Sequence, residues 1–348
     1  MWIVRAVKID DLDALFALVQ SATRGLTTLQ LDRNRLLDRI EQSVFAFSRT
    51  GTSPRGEPYV LVLTNDETGE LVGTSTVYTK TGGYQPFYAY QITHSEHHSE
   101  LLNISHTRTS LQLQRIHDGP SEIGSLFLRG IYRGEGWGRW LSLSRFALIA
   151  MRPGRFADGM IAEMRGRQDS DGRVPFYEAI AQKFIPVDFN VVDTMSTISK
   201  QFIEEMMPMH PIYLDLLPQE IRDGIGKVHR ETEPALKLLK SEGFSETDLV
   251  DIFDGGPVVR CETKQINAVR RTQPCQIAKI ADQPLPGRSD TILSSDANEF
   301  TSVLTAVSSD GDQLTIDRNA ALALSLDVGS TCYTMPSRPE MPSRPKTT

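Results

Sequence analysis

Arg133-Gly134-Glu135-Gly136-Trp137-Gly138 follows a strand-like run at 122–128 and opens a helix-like run from about residue 137 to 150. A helix start presents unpaired N–H groups and a partial positive charge, so it holds an anion without a dedicated side chain. Gly134, Gly136 and Gly138 have no β-carbon to keep a ligand away, and Arg133 adds a planar cation suited to phosphate oxygens. These residues predict a pyrophosphate site; a plain glycine-rich turn between strand and helix remains the structural alternative. A nucleoside-triphosphate loop needs Gly-Lys-Ser or Gly-Lys-Thr, which is absent here. A dinucleotide fold wants an early βαβ unit and an acidic residue about 20 residues past the glycines, and Glu163 lies too far.

Outward from this loop, the pattern is that of an α/β protein. Residues 2–7 alternate as a strand, Leu12, Leu15, Phe16 and Val19 recur at helical spacing, and a second amphipathic helix spans about 34–47. Strands at 59–63 and 71–77 flank the turn-rich Asn65-Asp66-Glu67-Thr68-Gly69. A further strand is expected near 87–92, and a buried one near 160–164 after the glycine-loop helix. The stretch Val174-Pro175-Phe176 to Phe184 matches Glu233-Pro234-Ala235 to Phe244: each is a Pro-initiated helix ending in Phe before an expected strand. This pair raises a tandem of two related halves, although Pro in a first helical turn is common anywhere. From about 274 short strands and turns predict a small β-rich C-terminal region. Met-Pro-Ser-Arg-Pro, at 335–339 and again at 341–345, predicts a disordered tail. The expected division is 1–200, 201–272, 273–334 and 335–348.

With 348 residues, 39% hydrophobic and 23% charged, the chain can bury a core in more than one unit. The net charge of −7 argues against general binding to nucleic acid or anionic membranes. Neither a secretory leader nor a spanning apolar run is evident, and Cys261, Cys275 and Cys332 form no close pair, so a cytoplasmic location is expected. His94-Ser95-Glu96-His97-His98-Ser99-Glu100 resembles a metal cluster in composition, but no third ligand is indicated and a solvated loop is the expectation; no metal is expected. Cys261 lacks a nucleophile's context and is expected to be structural.

Arg133-x-x-Gly136-x-Gly138 after a strand, within a β-α-α-β-β-β-α-β order, resembles the GNAT N-acyltransferase superfamily and its acyl-CoA loop. The resemblance implies an acyl-CoA N-acyltransferase-like mixed sheet flanked by helices. More specifically, residues 2 to about 270 are similar to the arginine N-succinyltransferase family. The segments that carry this are Gly25-Leu26-Thr27-Thr28-Leu29, Ser125-Leu126-Phe127-Leu128, 142–146, Ala162-Glu163-Met164-Arg165-Gly166, Met207-Pro208-Met209-His210-Pro211-Ile212-Tyr213, Ile225-Gly226-Lys227-Val228-His229 and Asp251-Ile252-Phe253-Asp254-Gly255-Gly256-Pro257. The family resemblance implies succinyl transfer from succinyl-CoA, a co-substrate, to the α-amino group of L-arginine, with no tightly bound cofactor. It further implies that Leu126 belongs to the succinyl-CoA site, that His229 is a proton donor, and that like or related chains associate as homo- or hetero-oligomers.

Acyl transfer to an amine needs a neutral nucleophile, a partner for the oxyanion and a proton for the thiolate. The backbone of Leu126 and Leu128 offers N–H groups for the thioester carbonyl and pantetheine arm, even if the side chains are only core. His229 titrates near neutrality; a surface or capping histidine is the alternative. A guanidinium calls for carboxylates and a succinyl carboxylate for a cation. Glu163 and Arg165, on one face of a strand, are candidates, with a cross-sheet ion pair as the alternative for each. Asp251 and Asp254 are further acidic candidates beside the Gly255-Gly256 turn. Rival expectations are transfer to ornithine or another basic amino acid, or a non-catalytic acyl-CoA-binding partner subunit.

Overall fold

Asp32 fixes where the second helix begins: its carboxylate accepts from the N–H groups of Asn34 and Arg35 at 3.0 Å each, replacing bonds that a helix start cannot make for itself. A computed structural model describes residues 1–22, 31–297 and 299–338, so the Gly25–Leu29 segment and the chain from 339 onward lie outside the described residues. The chain opens with β1 (Trp2–Ala6), α1 (Leu12–Ser21), α2 (Arg33–Ser48), β2 (Pro58–Asn65) and β3 (Leu71–Tyr78), the expected β-α-α-β-β order. It continues through β4 (Phe87–Ser99), β5 (Ile104–Ile116), β6 (Ser121–Leu128), α3 (Trp137–Met151), β7 (Gly159–Glu163), α4 (Pro175–Ala179), α5 (Phe189–Ser196), α6 (Gln201–Met206), β8 (Ile212–Tyr213) and α7 (Gln219–Gly224). The remainder is α8 (Glu233–Ser241), β9 (Ser245–Val250), β10 (Pro257–Glu262), α9 (Asn267–Arg271), β11 (Gln273–Ala281), β12 (Thr291–Ser295), β13 (Thr301–Thr305), β14 (Ser308–Asp310), β15 (Gln313–Asp317), α10 (Arg318–Ala323) and β16 (Thr331–Pro336).

The described strands join in one mixed sheet, ordered β14-β15-β11-β16-β12-β13-β1-β2-β3-β6-β7-β10-β9-β4-β5-β8. Residues 201–272 complete the sheet begun before them, because β10 lies beside β7; the C-terminal strands join it through β13 and β1. One apolar core lies under α3 and contains Leu61, Leu63, Leu141 and Phe146. A second lies under α1 and α2, and a third, around Tyr90, Phe176 and Phe253, serves the helices after β7.

Three expectations change. The histidine stretch is not a loop: His94 to Ser99 continue β4, in register with β5, so β4 and β5 form a hairpin of 13-residue strands. Both faces of its outer half are exposed, which removes the polar–apolar alternation by which a strand is recognised. His94 and His98 lie about 13 Å apart along the strand; they contact Thr109 and Ser105 at 3.0 Å, and no metal-holding group is found among the described residues. Second, α8 does run through Phe244 into β9, but α4 passes into a 3₁₀ turn and then α5, with no strand, so the two Pro-initiated units are alike only in their helices. Third, two residues assigned by sequence to the tail lie in a strand. Met335 and Pro336 belong to β16, and Met335 is fully buried opposite Ile292; the two fully buried side chains of β16, Cys332 and Met335, stand three apart and give no period-two signal.

Two features of β6 shape the site. Between Thr76↔Gly124 and Thr74↔Phe127 the strand carries an extra residue, and Ser125 takes a left-handed φ of 51° at this bulge. Just before it β6 leaves its parallel neighbour: β6 and β7 pair only at Ser121↔Met160 and Glu122↔Ile161, so their C-terminal halves splay apart.

Candidate active site

Past Leu128 a 3₁₀ turn, Gly130–Tyr132, brings the chain to Arg133, whose Nε donates to the Leu128 carbonyl at 3.1 Å while the guanidinium lies over the Phe127 ring. Gly134 and Gly136 have φ values of 105° and 89°, a region costly for residues with a β-carbon. A β-carbon at either would meet nothing within 4 Å, so the backbone's hand selects glycine there and the space beside it is open. Gly138 lies in the first turn of α3, where a β-carbon would make an ordinary 3.8 Å contact with Leu128. Gly136 is the N-cap of α3 and has no side-chain cap, leaving the first-turn N–H groups to an outside acceptor.

Behind that start α3 is buried over residues 140–149, held by Trp140 Nε1 donating to Ser302 Oγ at 3.2 Å. Arg145 within it donates to Ser142 O and Oγ, and burial pulls its pKa down to about 9. Leu128 is buried in the same core and Leu126 packs at its margin, while Phe127 turns to the α1–α2 side.

On the other side of the splay three separate segments meet beyond the end of β7. The Met164 N–H donates to Pro257 O at 3.0 Å, the His229 N–H to Arg165 O at 2.8 Å and the Gly226 N–H to Gly255 O at 2.9 Å, while Gly166 bridges to Val228. The Asp251–Gly256 turn presses so closely on this strand end that a β-carbon on Gly256 would stand 1.9 Å from Met164 O. His229, Arg165 and Asp254 are thus brought together at the C-terminal end of β7, and the glycine loop follows the C-terminal end of β6. Because β6 and β7 run parallel, both groups leave the same edge of the sheet.

The Nδ1 of His229 accepts the Glu231 N–H at 3.2 Å, which makes Nε2 the proton-bearing nitrogen of the neutral ring. Burial first, and then the Arg165 cation, lower its pKa, with Glu231 opposing. Arg165 donates to Gln168 and lies 3.8 Å from Glu231. Glu163, the last residue of β7, retains some accessible surface, yet its carboxyl pKa is raised well above the ordinary range. Burial is the main cause, followed by the charges of Glu122 and Asp251, against the pull of Lys200. Cross-strand pairing of Glu122 with Ile161 places Glu122 and Glu163 on one face, and burial raises Glu122 too, against Lys200 and Arg39. Asp193 on α5 is pushed up to about 7 by burial and by Asp251, with Arg165 opposing. Asp254 is likewise raised by burial and by Asp251, but both its oxygens are engaged, Oδ2 by the Gly166 N–H at 2.7 Å and Oδ1 by the Gly256 N–H at 2.8 Å.

Glu122 and Asp193 escaped sequence reasoning. Glu122 is an acidic residue inside an otherwise apolar strand, a signal that was available; Asp193 sits in a helix with no distinguishing pattern. Cys261 is buried on β10 and burial raises its thiol pKa, the reverse of an activated nucleophile.

A bulged strand splayed from its parallel neighbour, an uncapped glycine-rich helix start on one side and a histidine among carboxylates on the other define an acyltransferase of the acyl-CoA N-acyltransferase-like class. The chain belongs to the arginine N-succinyltransferase family: the family model described as "Arginine N-succinyltransferase beta subunit" matches residues 2–268. Proteins named arginine N-succinyltransferase from Shigella sonnei (strain Ss046) and Escherichia coli (strain K12 / DH10B) are each 37% identical over 300 residues, covering 86% of this chain and 86% of theirs. Among solved structures, arginine/ornithine succinyltransferase subunit AI from Pseudomonas aeruginosa superposes with a TM-score of 0.88 at 26% identity, over 97% of this chain and 99% of that one. No helix among the described residues is long and apolar enough to cross a membrane.

Proposed function

We propose that this chain transfers the succinyl group of succinyl-CoA to the α-amino group of L-arginine, giving N2-succinylarginine and free coenzyme A, as a cytoplasmic step of arginine catabolism. The observation that carries the proposal is the splay between β6 and β7, with the uncapped α3 start after one strand and His229 hung on the end of the other.

The residues divide the work as follows. The first-turn N–H groups of α3, with Gly134, Gly136, Gly138 and Arg133, receive the pyrophosphate of coenzyme A. Leu126 and Leu128 line the path of the pantetheine arm along β6, whose backbone offers N–H groups to the thioester carbonyl. The substrate ammonium gives up one proton to a carboxylate of raised affinity, Glu163 being the nearest to the splay, and the neutral amine attacks. The nitrogen–carbon bond forms, the carbon–sulfur bond breaks, and the thiolate takes a proton through His229; the sum is amide, thiol and one released proton. A lowered pKa makes protonated His229 a stronger acid and returns it to the neutral form between turnovers.

Glu122 and Asp193 provide carboxylates for a guanidinium, and Arg165 a cation for the succinyl carboxylate. Ornithine is a second acceptor to weigh, because the solved relative is titled an arginine/ornithine enzyme. The word "subunit" in the name of the solved relative, with "beta subunit" in the family's own name, favours assembly with like or related chains. A non-catalytic subunit would be expected to lose the loop or the histidine, and both are present. Thiol release by the purified chain with succinyl-CoA and each amine tests the proposal: a kcat/KM for ornithine far above that for arginine would overturn the arginine assignment.

A further inference from the structure

We propose that Asp254 is a positioning residue that sets the place of His229, acting through the end of β7 and never touching substrate; this rests on His229 acting as the proton donor. His229 is not anchored by any regular helix or strand. It lies in a connection whose main chain hangs from the β7 exit, by its own N–H on Arg165 O at 2.8 Å and by the Gly166↔Val228 bridge. The β7 exit is in turn fixed by the Asp254 carboxylate, which accepts from the Gly166 N–H at 2.7 Å across 88 residues of sequence and from the Gly256 N–H at 2.8 Å within its own turn. Asp254 is itself held: Asp251 Oδ1 accepts from the N–H groups of Phe253 and Asp254 at 2.7 Å each, and the Asp251 N–H donates to Gly256 O at 2.8 Å. The line of contact therefore runs from the end of β9 through Asp251 and Asp254 to Gly166, Val228 and His229.

The chemistry of this carboxylate fits a clamp better than a substrate contact. Its two oxygens each meet a backbone donor. Asparagine keeps the shape but presents an NH2 to one of the two N–H groups, a donor facing a donor, so the β7 exit and the turn must move apart. A shift of about 1 Å in a catalytic group is enough to cost on the order of 10²-fold in rate. None of the hydrogen bonds in this line is made to Leu126 or to the glycine loop, so coenzyme A binding is expected to survive.

A double-mutant cycle tests this, with D254N, H229A and D254N/H229A assayed for kcat with succinyl-CoA and L-arginine and for coenzyme A affinity by calorimetry. The expected result is a kcat about 10 to 100-fold lower in D254N, an unchanged Kd for coenzyme A, and no further loss when D254N is added to H229A. An equal loss from D254N in both backgrounds overturns the proposal, since Asp254 would then act independently of His229; so does wild-type kcat in D254N. Wild-type kcat in H229A is the distinct outcome that removes His229 from the reaction, and this inference with it. Should D254N fail to fold by circular dichroism, D254S, which retains one acceptor, takes its place under the same criteria, and failure of both to fold assigns Asp254 to stability and overturns the proposal.

Discussion

Replacing Gly136 by alanine separates the role of the loop's backbone from that of its charge. Gly136 holds φ at 89° as the N-cap of α3, and a β-carbon there meets no atom within 4 Å, so the substitution introduces no clash and tests conformation alone. Holding a residue with a β-carbon in the left-handed region costs about 1–2 kcal/mol. If the first-turn N–H groups must keep their present directions to hold pyrophosphate, that cost appears in binding, and 1.4 kcal/mol per decade converts it to a roughly 5 to 30-fold weaker Kd for coenzyme A. Calorimetric titration with coenzyme A reads this directly, and steady-state kinetics should show a raised KM for succinyl-CoA with kcat within about threefold, because the reacting atoms lie at the far end of the pantetheine arm. An unchanged Kd in a folded G136A variant would refute the reasoning, since the left-handed conformation would then have no part in holding the ligand.

His229→Ala should lower kcat by about 10² to 10⁴-fold and leave coenzyme A affinity unchanged, the usual scale for losing a proton-transfer group; stopped thiol-release assays measure it. Glu163→Gln removes the carboxylate that takes the ammonium proton and should lower kcat and kcat/KM for arginine with little change in KM for succinyl-CoA, which a two-substrate kinetic matrix resolves. Asp193 offers a pH test of stability. Its folded pKa of about 7 lies above the ordinary 3.8, so the folded state binds its proton more tightly and stability is lost as pH rises from near 4 through 7. Asp193→Asn should therefore match the parent's Tm at pH 4 and exceed it by a few degrees at pH 8; an equal Tm difference at both pH values would contradict the burial argument.

Much of this architecture could be read from local pattern. β2 and β3 are short buried runs flanking a turn-rich pentapeptide, α3 follows a glycine-rich stretch, and β7 is a short buried run, so each element declares itself within about ten residues. The outer half of the β4–β5 hairpin does not, because strand periodicity arises from having one buried face and this ribbon has none. Met335 lacks a signal for a different reason, as the buried side chains of β16, Cys332 and Met335, stand three apart and leave no period of two to detect. At the candidate site the loop was legible because its chemistry is contiguous. The cluster around His229 is assembled from residues 163–166, 226–229 and 251–256, and nothing in a single sequence says that a turn 88 residues away clamps Gly166. Asp254 illustrates the consequence: in sequence it is an acidic candidate for substrate, whereas in the fold both its oxygens serve the backbone.

The central claim, that this chain alone joins succinyl-CoA to the α-amino group of L-arginine, is tested most directly by incubating the purified protein with both and following thiol release together with the mass of the product. The account predicts equal amounts of free coenzyme A and N2-succinylarginine, with a higher kcat/KM for arginine than for ornithine. A folded chain that binds coenzyme A yet releases no thiol with either amine would contradict it.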